Sequence, residues 1–326
     1  MSASVATFRA VLLLLIAGAM LLAPVGCGDA SADATTSADD PGPDPRPLIV
    51  VTTGMVADLV RAVGGDDVRV ETLIAPGADP HLYKPTRSDL GRIVRADLLV
   101  ANGLHLEGRL DEALRRAEAA GRRVLRIGDH LPPDRLLSGD EGGHSDPHVW
   151  MDPGLFALAV PSILETLVEL DPAHAAAFRA QADRLATDLD ALDAEVAEML
   201  ATIPPHRRVL VTAHDAFGYF GLRHDFEVVG IQGISTESEA GVRDLRRLVD
   251  LLVERDLPAV FVESTVPPRQ VEALVAGAAA RGRPVTIGGE LFSDAMGPAG
   301  TPEGTYLGMI RHNARTIADA LGASDA

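Results

Sequence analysis

Four side chains able to bind a transition metal stand at separate points of the 326-residue chain: His81, His148, His214 and Asp294. Neutral imidazole is a good donor to Zn²⁺, Mn²⁺ and Fe²⁺, and a carboxylate contributes negative charge and hardness. Any one of these histidines alone is more simply explained as a hydrogen-bonded structural residue. A metal site is predicted because all four lie at equivalent places, in loops or at strand ends, with two in each half of the chain.

Strands that alternate with helices are predicted around these residues. The predicted strands are residues 48–52, 68–74, 97–101, 123–127, 209–212, 226–231, 259–263 and 284–287, and the predicted helices are 55–63, 88–95, 107–120, 215–220, 239–255, 269–280 and 305–321. This alternation is typical of βαβ units and parallel sheets, in which ligands bind at the carboxyl ends of strands. The predicted fold class is α/β, with two lobes that each contain a parallel sheet flanked by helices.

One long helix is predicted between the halves. Asp171 is a suitable N-cap followed by proline, and the chain then runs to Thr202 without glycine or a further proline. About 30 helical residues give a rod of about 45 Å, long enough to span two stacked lobes. The predicted boundaries are a first lobe at 48–170, a connecting backbone helix at 171–203 and a second lobe at 204–326. A surface helix within one lobe is the alternative.

The N-terminus is predicted to be a targeting segment rather than part of the folded body. Arg9, an apolar segment and small residues leading to Cys27 indicate a signal peptide over residues 1–27. Gly26 before Cys27 resembles a bacterial lipoprotein processing box, in which the cysteine receives lipid. An ordinary signal peptide with an incidental cysteine is the alternative. Residues 28–47 contain too little apolar surface to fold and are predicted to form a disordered tether.

Charge and cysteine content exclude several classes of protein. The 29 basic and 47 acidic residues give a formal net charge of −18, which disfavours binding to nucleic acid. The single cysteine excludes an internal disulfide and a cysteine-rich metal site.

Several longer motifs are similar to those of one protein family. They are NGLHLE at 102–107, GISTESE at 233–239, FVESTVPP at 261–268 and GGELFSDAM at 288–296. Together they resemble the metal-binding lipoproteins of bacterial manganese/zinc/iron ABC transporters, which are solute-binding proteins with a helical backbone between lobes. The resemblance covers residues 48–321 and implies that His81, His148, His214 and Asp294 are metal ligands in a cleft between the lobes.

The resemblance also implies a partner and a location. The ion would be delivered to an ABC permease with a cytoplasmic ATPase, by a monomer anchored through Cys27 outside the cytoplasm, in the periplasm or at the cell surface. It implies a binding protein rather than an enzyme.

Manganese is the predicted cargo, with zinc and ferrous iron as alternatives. Zinc-dedicated members often carry a long His-rich loop, whereas the stretch before His148 contains only His130 and His144. Asp294 resembles the manganese and mixed-metal branches. A third imidazole at His214 and the intrinsic affinity order both favour zinc.

Neighbours of the four residues have less distinctive patterns. Glu263 at a strand end could accept an N–H from a ligand histidine or could cap a helix. Trp150 and Tyr83 are predicted to pack between the lobes. His144 is predicted to be a loop residue, because Pro147 and two glycines oppose a helix there. Asn102 and Glu107 are predicted to be loop structure, and Arg115, Arg116, Arg122 and Arg123 to be solvated residues that a permease could use for docking.

Two other functions are compatible with the residue types. A secreted zinc-dependent hydrolase could use the same His/Asp cluster, but the chain has no His-Glu-x-x-His or Gly-x-Ser-x-Gly motif. A receptor for an organic solute would need aromatic contacts, and aromatic residues make up only 4% of the chain.

Overall fold

The computed structural model describes residues 44–139 and 143–322. Eight strands and ten α-helices are present in these ranges. The strands are β1 (Leu48–Val51), β2 (Arg69–Thr72), β3 (Leu98–Ala101), β4 (Val124–Arg126), β5 (Val209–His214), β6 (Glu227–Gln232), β7 (Ala259–Glu263) and β8 (Thr286–Leu291). The helices are α1 (Gly54–Gly64), α2 (Arg87–Arg95), α3 (Arg109–Ala119), α4 (Pro153–Ala157), α5 (Val160–Leu170), α6 (Ala175–Leu200), α7 (Gly218–His224), α8 (Val242–Glu254), α9 (Arg269–Ala280) and α10 (Tyr306–Gly322).

All strand pairs among these elements are parallel. The first half forms one four-stranded sheet in the order β2-β1-β3-β4, and the second half forms the pairs β5-β6 and β7-β8, with β5 packed beside β7. Strands β1 and β3 are buried along their whole length, as expected for a sheet covered on both faces. The predicted α/β class with parallel sheets flanked by helices is confirmed.

Strand β8 differs from its prediction, because it ends at Leu291 rather than at residue 287. The predicted strand stops before Gly288 and Gly289, yet the observed strand continues through them. Helix α10 passes so close that a Cβ at these positions would lie 2.7 Å from the Ala320 side chain and 2.4 Å from that of Thr316. The glycines therefore permit close packing rather than a turn, and Asp294 lies three residues beyond the strand.

The long helix is present but shorter than predicted. A 3₁₀ turn occupies Pro172–His174, and α6 then runs for 26 residues, or about 39 Å. The Asp171 side chain accepts the Ala173 N–H, so the predicted cap holds this turn instead of the α-helix. Helix α6 packs against α1, α4 and α5 from the first half and against α10 from the second. The described residues from Pro45 onward belong to one compact unit, and the lobe boundaries stay a prediction.

The segment Pro153–Leu170 has the length and hydropathy of a membrane-crossing helix. In the fold it consists of the two helices α4 and α5, which pack against α6. Leu155, Phe156, Ile163 and Leu167 are buried in the main hydrophobic core, so this segment is a core element of the folded body.

Candidate metal centre

The four predicted residues converge on one point. One ligand atom from each of His81, His148, His214 and Asp294 lies within 4.8 Å of the others. The side chains come from the loop after β2, the loop before α4, the last position of β5 and the loop after β8. His148 and His214 have no exposed surface, and His81 and Asp294 are exposed by only 5% and 2%. The fold thus brings residues from both halves of the chain into a single buried cluster.

The distances within the cluster fit a small cation. Asp294 Oδ1 lies 3.3 Å from His148 Nε2, while Asp294 Oδ2 lies 3.3 Å from His214 Nε2 and 3.6 Å from His81 Nε2. The Nε2 atoms of His81 and His148 are 3.4 Å apart. A tetrahedron whose corners lie about 2.0–2.2 Å from a central ion has edges of about 3.3–3.6 Å. The donor atoms are therefore spaced like the corners of a coordination polyhedron.

Several of these donor atoms lack any other partner. His214 Nε2 and both Asp294 carboxylate oxygens are buried and have no hydrogen-bond partner within the described ranges. A buried polar atom without a partner costs about 1–3 kcal/mol, and more when it is charged. A bound cation would satisfy all three atoms at once.

Carboxylates orient two of the three imidazoles. Asp146 Oδ1 accepts both the backbone N–H and the Nδ1–H of His148, at 2.9 and 2.7 Å. Glu263, the last residue of β7, accepts the backbone N–H of His214 at 2.8 Å and its Nδ1–H at 2.5 Å. In the neutral imidazole, which is the form that binds a metal ion, a proton on Nδ1 leaves the Nε2 lone pair facing the cluster. The first of the two interpretations of Glu263 is thus confirmed, whereas the role of Asp146 was not predicted.

His81 is positioned through its backbone. Asp79 Oδ1 accepts the His81 N–H at 2.8 Å, and Asp79 Oδ2 accepts the Thr236 hydroxyl at 2.5 Å. Behind the turn lies Gly108, whose φ is 47° and where a Cβ would come within 2.6 Å of the His81 carbonyl oxygen. Only glycine meets both requirements.

The loop that contains Gly108 is held by a buried carboxylate. Glu107 accepts the backbone N–H groups of Asn102 and Gly103 and the Thr52 hydroxyl. Burial raises the pKa of Glu107 to about 7, and these donors offset part of that effect. The prediction that Asn102 and Glu107 serve loop structure is confirmed.

Burial and charge act differently on the three imidazoles. Burial lowers the pKa of His81 to about 4, and the Asp294 carboxylate offsets only part of this shift. Burial also lowers the pKa of His148, but the Asp146 and Asp294 carboxylates raise it by more, to about 9. For His214, Glu263 and Asp294 outweigh burial, and its pKa lies well above the usual range.

The pKa of the central carboxylate moves in the opposite direction. Burial raises the pKa of Asp294, but the surrounding imidazoles, His214 foremost, hold it well below its usual range. Asp294 is therefore ionised at neutral pH.

Other predicted residues lie at the edge of the site or outside it. The Trp150 indole N–H donates to the Ser293 carbonyl oxygen, so Trp150 joins the two halves as predicted. Tyr83 does not, because its hydroxyl donates to Asp89 and its ring packs against a cluster within the first half. His144 lies outside any helix, as predicted, with its ring 3.8 Å from that of His105. Cys27 lies outside the described residues.

Comparison with known proteins assigns the family. A family model described as ZnuA, "Zinc-uptake complex component A periplasmic", matches residues 49–320. The chain belongs to the ZnuA family. The zinc-binding protein TroA of Treponema pallidum is 45% identical over 282 residues, which cover 86% of this chain and 91% of TroA.

Other ZnuA-family relatives have names that specify different metals. The manganese-binding lipoprotein MntA of Bacillus subtilis is 43% identical over 296 residues, covering 91% of this chain and 94% of MntA. The iron-binding protein YfeA of Yersinia pestis is 31% identical over 274 residues, covering 84% and 86%. The solved structure of T. pallidum TroA superposes with a TM-score of 0.82 at 46% identity, covering 85% of this chain and 99% of TroA.

Proposed function

We propose that this ZnuA-family protein captures a divalent transition metal ion outside the cytoplasm and delivers it to an ABC permease. The observation that carries the proposal is the convergence of His81, His148, His214 and Asp294, with all donor atoms within 4.8 Å of one another and four of their distances at 3.3–3.6 Å. The ion would be held by three imidazoles and one carboxylate. Among these four residues, the Asp294 carboxylate would balance one of the two positive charges of the ion. This incomplete balance suits a cargo that the protein must release again.

Mn²⁺ is the proposed cargo, with Zn²⁺ and Fe²⁺ as the alternatives. Both oxygens of Asp294 face imidazoles, Oδ1 toward His148 and Oδ2 toward His214. If the carboxylate binds through both oxygens, the site supplies five donors together with the three imidazoles, whereas structural Zn²⁺ sites are almost always four-coordinate. The relatives named for zinc, manganese and iron show that one family includes all three specificities.

The location and partner form part of the same proposal. Lipid on Cys27 and a tether over 28–47 would hold a monomeric body near the membrane, where a permease with a cytoplasmic ATPase takes the ion. The ion would lie between lobes formed by 48–170 and 204–326 and connected by the 171–203 helix. The descriptions of the family as periplasmic and of MntA as a lipoprotein support this arrangement. A Cys27→Ser variant is expected to move from the membrane fraction to the soluble fraction.

The decisive experiment is elemental analysis of protein purified from its native envelope without chelators. About one Mn²⁺ per chain is expected. Affinity in vitro cannot decide the cargo alone, because Zn²⁺ outcompetes Mn²⁺ at nearly any site of nitrogen and oxygen ligands. The absence of any transition metal would contradict the proposal. One Zn²⁺ or Fe²⁺ per chain would mean that this ion, and not Mn²⁺, is the cargo.

Matched histidine variants separate the site from nonspecific binding. His214→Gln removes a buried donor, whereas His206→Gln changes an exposed histidine in a 3₁₀ turn. The first variant is expected to be isolated without metal and the second with its full content. Equal metal content in both variants would place the ion elsewhere.

A binding role without catalysis is proposed. The hydrolase alternative has no support from the relatives, whose names describe metal binding and transport. Metal-dependent hydrolysis of a nitrophenyl ester or a peptide above the rate of the His214→Gln variant would contradict this assignment.

A further inference from the structure

Two exposed histidines from different parts of the chain have their rings in contact. His105 lies in the loop after β3, His144 lies in the loop before α4, and their ring centres are 3.8 Å apart at a tilt of 46°. Within the described ranges, neither ring forms a hydrogen bond or an ion pair. The nitrogen donors of both imidazoles are therefore available to a ligand.

A left-handed turn of the backbone presents the His105 ring. Gly103, Leu104 and His105 have φ values of 79°, 54° and 66° in succession. Glycine adopts this conformation freely, whereas it is unfavourable at the other two residues. Glu107 accepts the Gly103 N–H, and the Leu106 N–H donates to the Gly103 carbonyl oxygen, so the turn is held in place. Backbone strain of this kind is concentrated at functional sites.

Backbone contacts also hold the segment of His144 beside this turn. The His144 carbonyl oxygen accepts the Gly139 N–H at 2.7 Å. The side chain of Asn102, which precedes the left-handed turn, donates to the Pro147 carbonyl oxygen at 3.0 Å. The contact between the two rings is thus supported from both segments.

The two rings lie where two cavities meet. The inner cavity, of about 170 Å³, is lined by both rings and by His81, the most exposed of the four clustered residues. The outer cavity, of about 550 Å³, is lined by the same two rings, and Leu104 and Ser145 also belong to both linings. An ion that enters by this route passes the two imidazoles before it reaches His81.

The charges around the cavities favour a cation. Besides the buried Glu107, the outer cavity is lined by three carboxylates and two guanidinium groups, those of Asp111, Glu118, Asp129, Arg115 and Arg126. Arg115 pairs with Asp111, and Arg126 pairs with Glu118. Asp129, and Glu237 in the inner cavity, form no ion pair with the described residues. Their charge, in a chain of net charge −18, raises the local concentration of cations.

Two imidazoles in contact can share one metal ion. A tetrahedral ion at about 2.0–2.1 Å from each nitrogen needs the two nitrogens about 3.3–3.4 Å apart. Rings with centres 3.8 Å apart can present nitrogens at this spacing after a rotation about the Cβ–Cγ bond. Because both side chains are exposed, water would fill the other positions around the ion. Two protein donors hold an ion more weakly than the buried cluster does, so the ion can move on.

We propose that His105 and His144 form a second site for a divalent transition metal ion and that this site is the entry to the buried cluster. This inference rests on the proposed function. The two imidazoles hold the ion first. His81 then replaces a water ligand, and His105 and His144 leave the ion as the other clustered residues bind it.

Equilibrium dialysis counts the sites. Zn²⁺ is the probe, because it binds nitrogen donors more tightly than Mn²⁺ or Fe²⁺. The unmodified protein is expected to bind two ions per chain, the second more weakly than the first. A double variant, His105→Asn with His144→Gln, is expected to bind one, and asparagine tolerates the left-handed backbone. The control variant, His130→Gln with His206→Gln, changes two other exposed histidines and is expected to keep both ions.

Stopped-flow mixing with Mn²⁺ tests the role in entry. The Trp150 ring lies 5.3 Å from that of His148, so its fluorescence reports occupancy of the buried cluster. The double variant is expected to take up the ion about tenfold more slowly, the low end of the acceleration that a raised local ion concentration gives. Release to a chelator should slow by the same factor and leave the Kd of the cluster unchanged. Damage to the cluster would alter this Kd, which separates an entry site from a structural contact.

Each outcome decides one statement. A single Zn²⁺ on the unmodified protein, or two on the double variant, would overturn the second site. Uptake by the double variant at the rate of the control variant would overturn the role in entry. His144→Gln alone leaves the left-handed turn intact and is expected to give the same results as the double variant. An unmodified protein whose buried cluster binds no metal would instead contradict the proposed function.

Discussion

Two of the three imidazoles in the cluster are oriented by a carboxylate, and the third is not. Asp146 fixes His148, and Glu263 fixes His214, through bonds of 2.7 and 2.5 Å to Nδ1. For His81, Asp79 fixes the backbone instead of the ring. Two rings are therefore fixed directly by a carboxylate, whereas the third ring is positioned through its turn.

Replacing Glu263 with glutamine tests the importance of this orientation. The amide has the same shape but presents a donor or a weaker acceptor to His214 Nδ1, so it no longer favours the required tautomer. We expect Glu263→Gln to weaken metal affinity about 10–100-fold, measured by competition with a fluorescent chelator. Glu290→Gln, an exposed glutamate on β8, is the control. Equal affinity of the two variants would refute an orienting role for Glu263.

Metal capture should displace protons from the cluster. The carboxylates around His148 and His214 raise the pKa of both imidazoles, to about 9 for His148, so both carry protons at pH 7. A metal ligand must be neutral, and the ion therefore releases these protons. Affinity is expected to rise with pH up to about 9, whereas unperturbed histidines would reach a plateau above about 6.5.

Calorimetry in two buffers of different ionisation enthalpy measures this release. Between one and two protons per ion are expected at pH 7. An Asp146→Asn variant should release fewer, because it removes a carboxylate that raises the pKa of His148. An ion that binds at pH 7 without releasing any proton would disprove this account of the site.

Among the elements, the segments that carry the four clustered residues are joined by different numbers of hydrogen bonds. The His148 segment is fixed by the Trp150 indole, which donates to the Ser293 carbonyl at 2.9 Å, and by the Tyr219 hydroxyl, which donates to the Asp146 carbonyl at 2.8 Å. The His81 turn is joined to the loop after β6 by the Asp79–Thr236 bond. We therefore expect this turn to be the segment of the cluster that separates most readily from the others.

A Thr236→Val substitution removes that bond while preserving the shape of the side chain. A hydrogen bond to a charged group contributes about 1.5–3 kcal/mol, and its loss favours separation of the turn. We expect metal to dissociate about 10-fold faster or more, measured by stopped-flow mixing with a chelator and Trp150 fluorescence. Thr236→Ser keeps the hydroxyl and should restore the slow rate. Thr187→Val, on the exposed side of α6, is the control and should have no effect. Equal dissociation rates in Thr236→Val and Thr187→Val would show that the Asp79–Thr236 bond does not restrain the turn.

The sequence was sufficient for the order of the eight strands and for the four clustered residues, whereas helices α4 and α5 were not delimited. Buried strands such as β1 and β5 are continuous apolar runs, and parallel topology places their carboxyl ends together. The residues that hold this cluster in place were harder to predict, because Asp146, Trp150 and Thr236 meet their partners through tertiary contacts that leave no periodic pattern. For the same reason the strand through Gly288 and Gly289 was misplaced, since the requirement for glycine comes from α10.

At the scale of the whole molecule, α6 connects the two halves through one apolar stripe. Its buried residues are Phe178, Ala182, Leu185, Leu189, Leu192, Val196 and Leu200, at intervals of three and four. They belong to a single core cluster together with residues of α1, α5 and α10. Because both halves share this core, the described body should unfold in one cooperative transition.

Leu189→Ala tests the shared core from a position outside the metal cluster. Leu189 has no exposed surface, and truncating a buried leucine to alanine costs about 2–5 kcal/mol of unfolding free energy. Urea denaturation is followed by the fluorescence of Trp150, the only tryptophan of the chain. Leu189→Ala should show one transition at a lower midpoint. Asp188→Ala, on the exposed face of α6, is the control and should leave the midpoint unchanged. Metal at 100 times its dissociation constant should add about 2.7 kcal/mol to both the unmodified and the Leu189→Ala proteins, because binding stabilises the folded state by mass action. Two separate transitions would instead mean that the halves unfold independently. A weaker metal effect in Leu189→Ala would mean that α6 helps to set the geometry of the site.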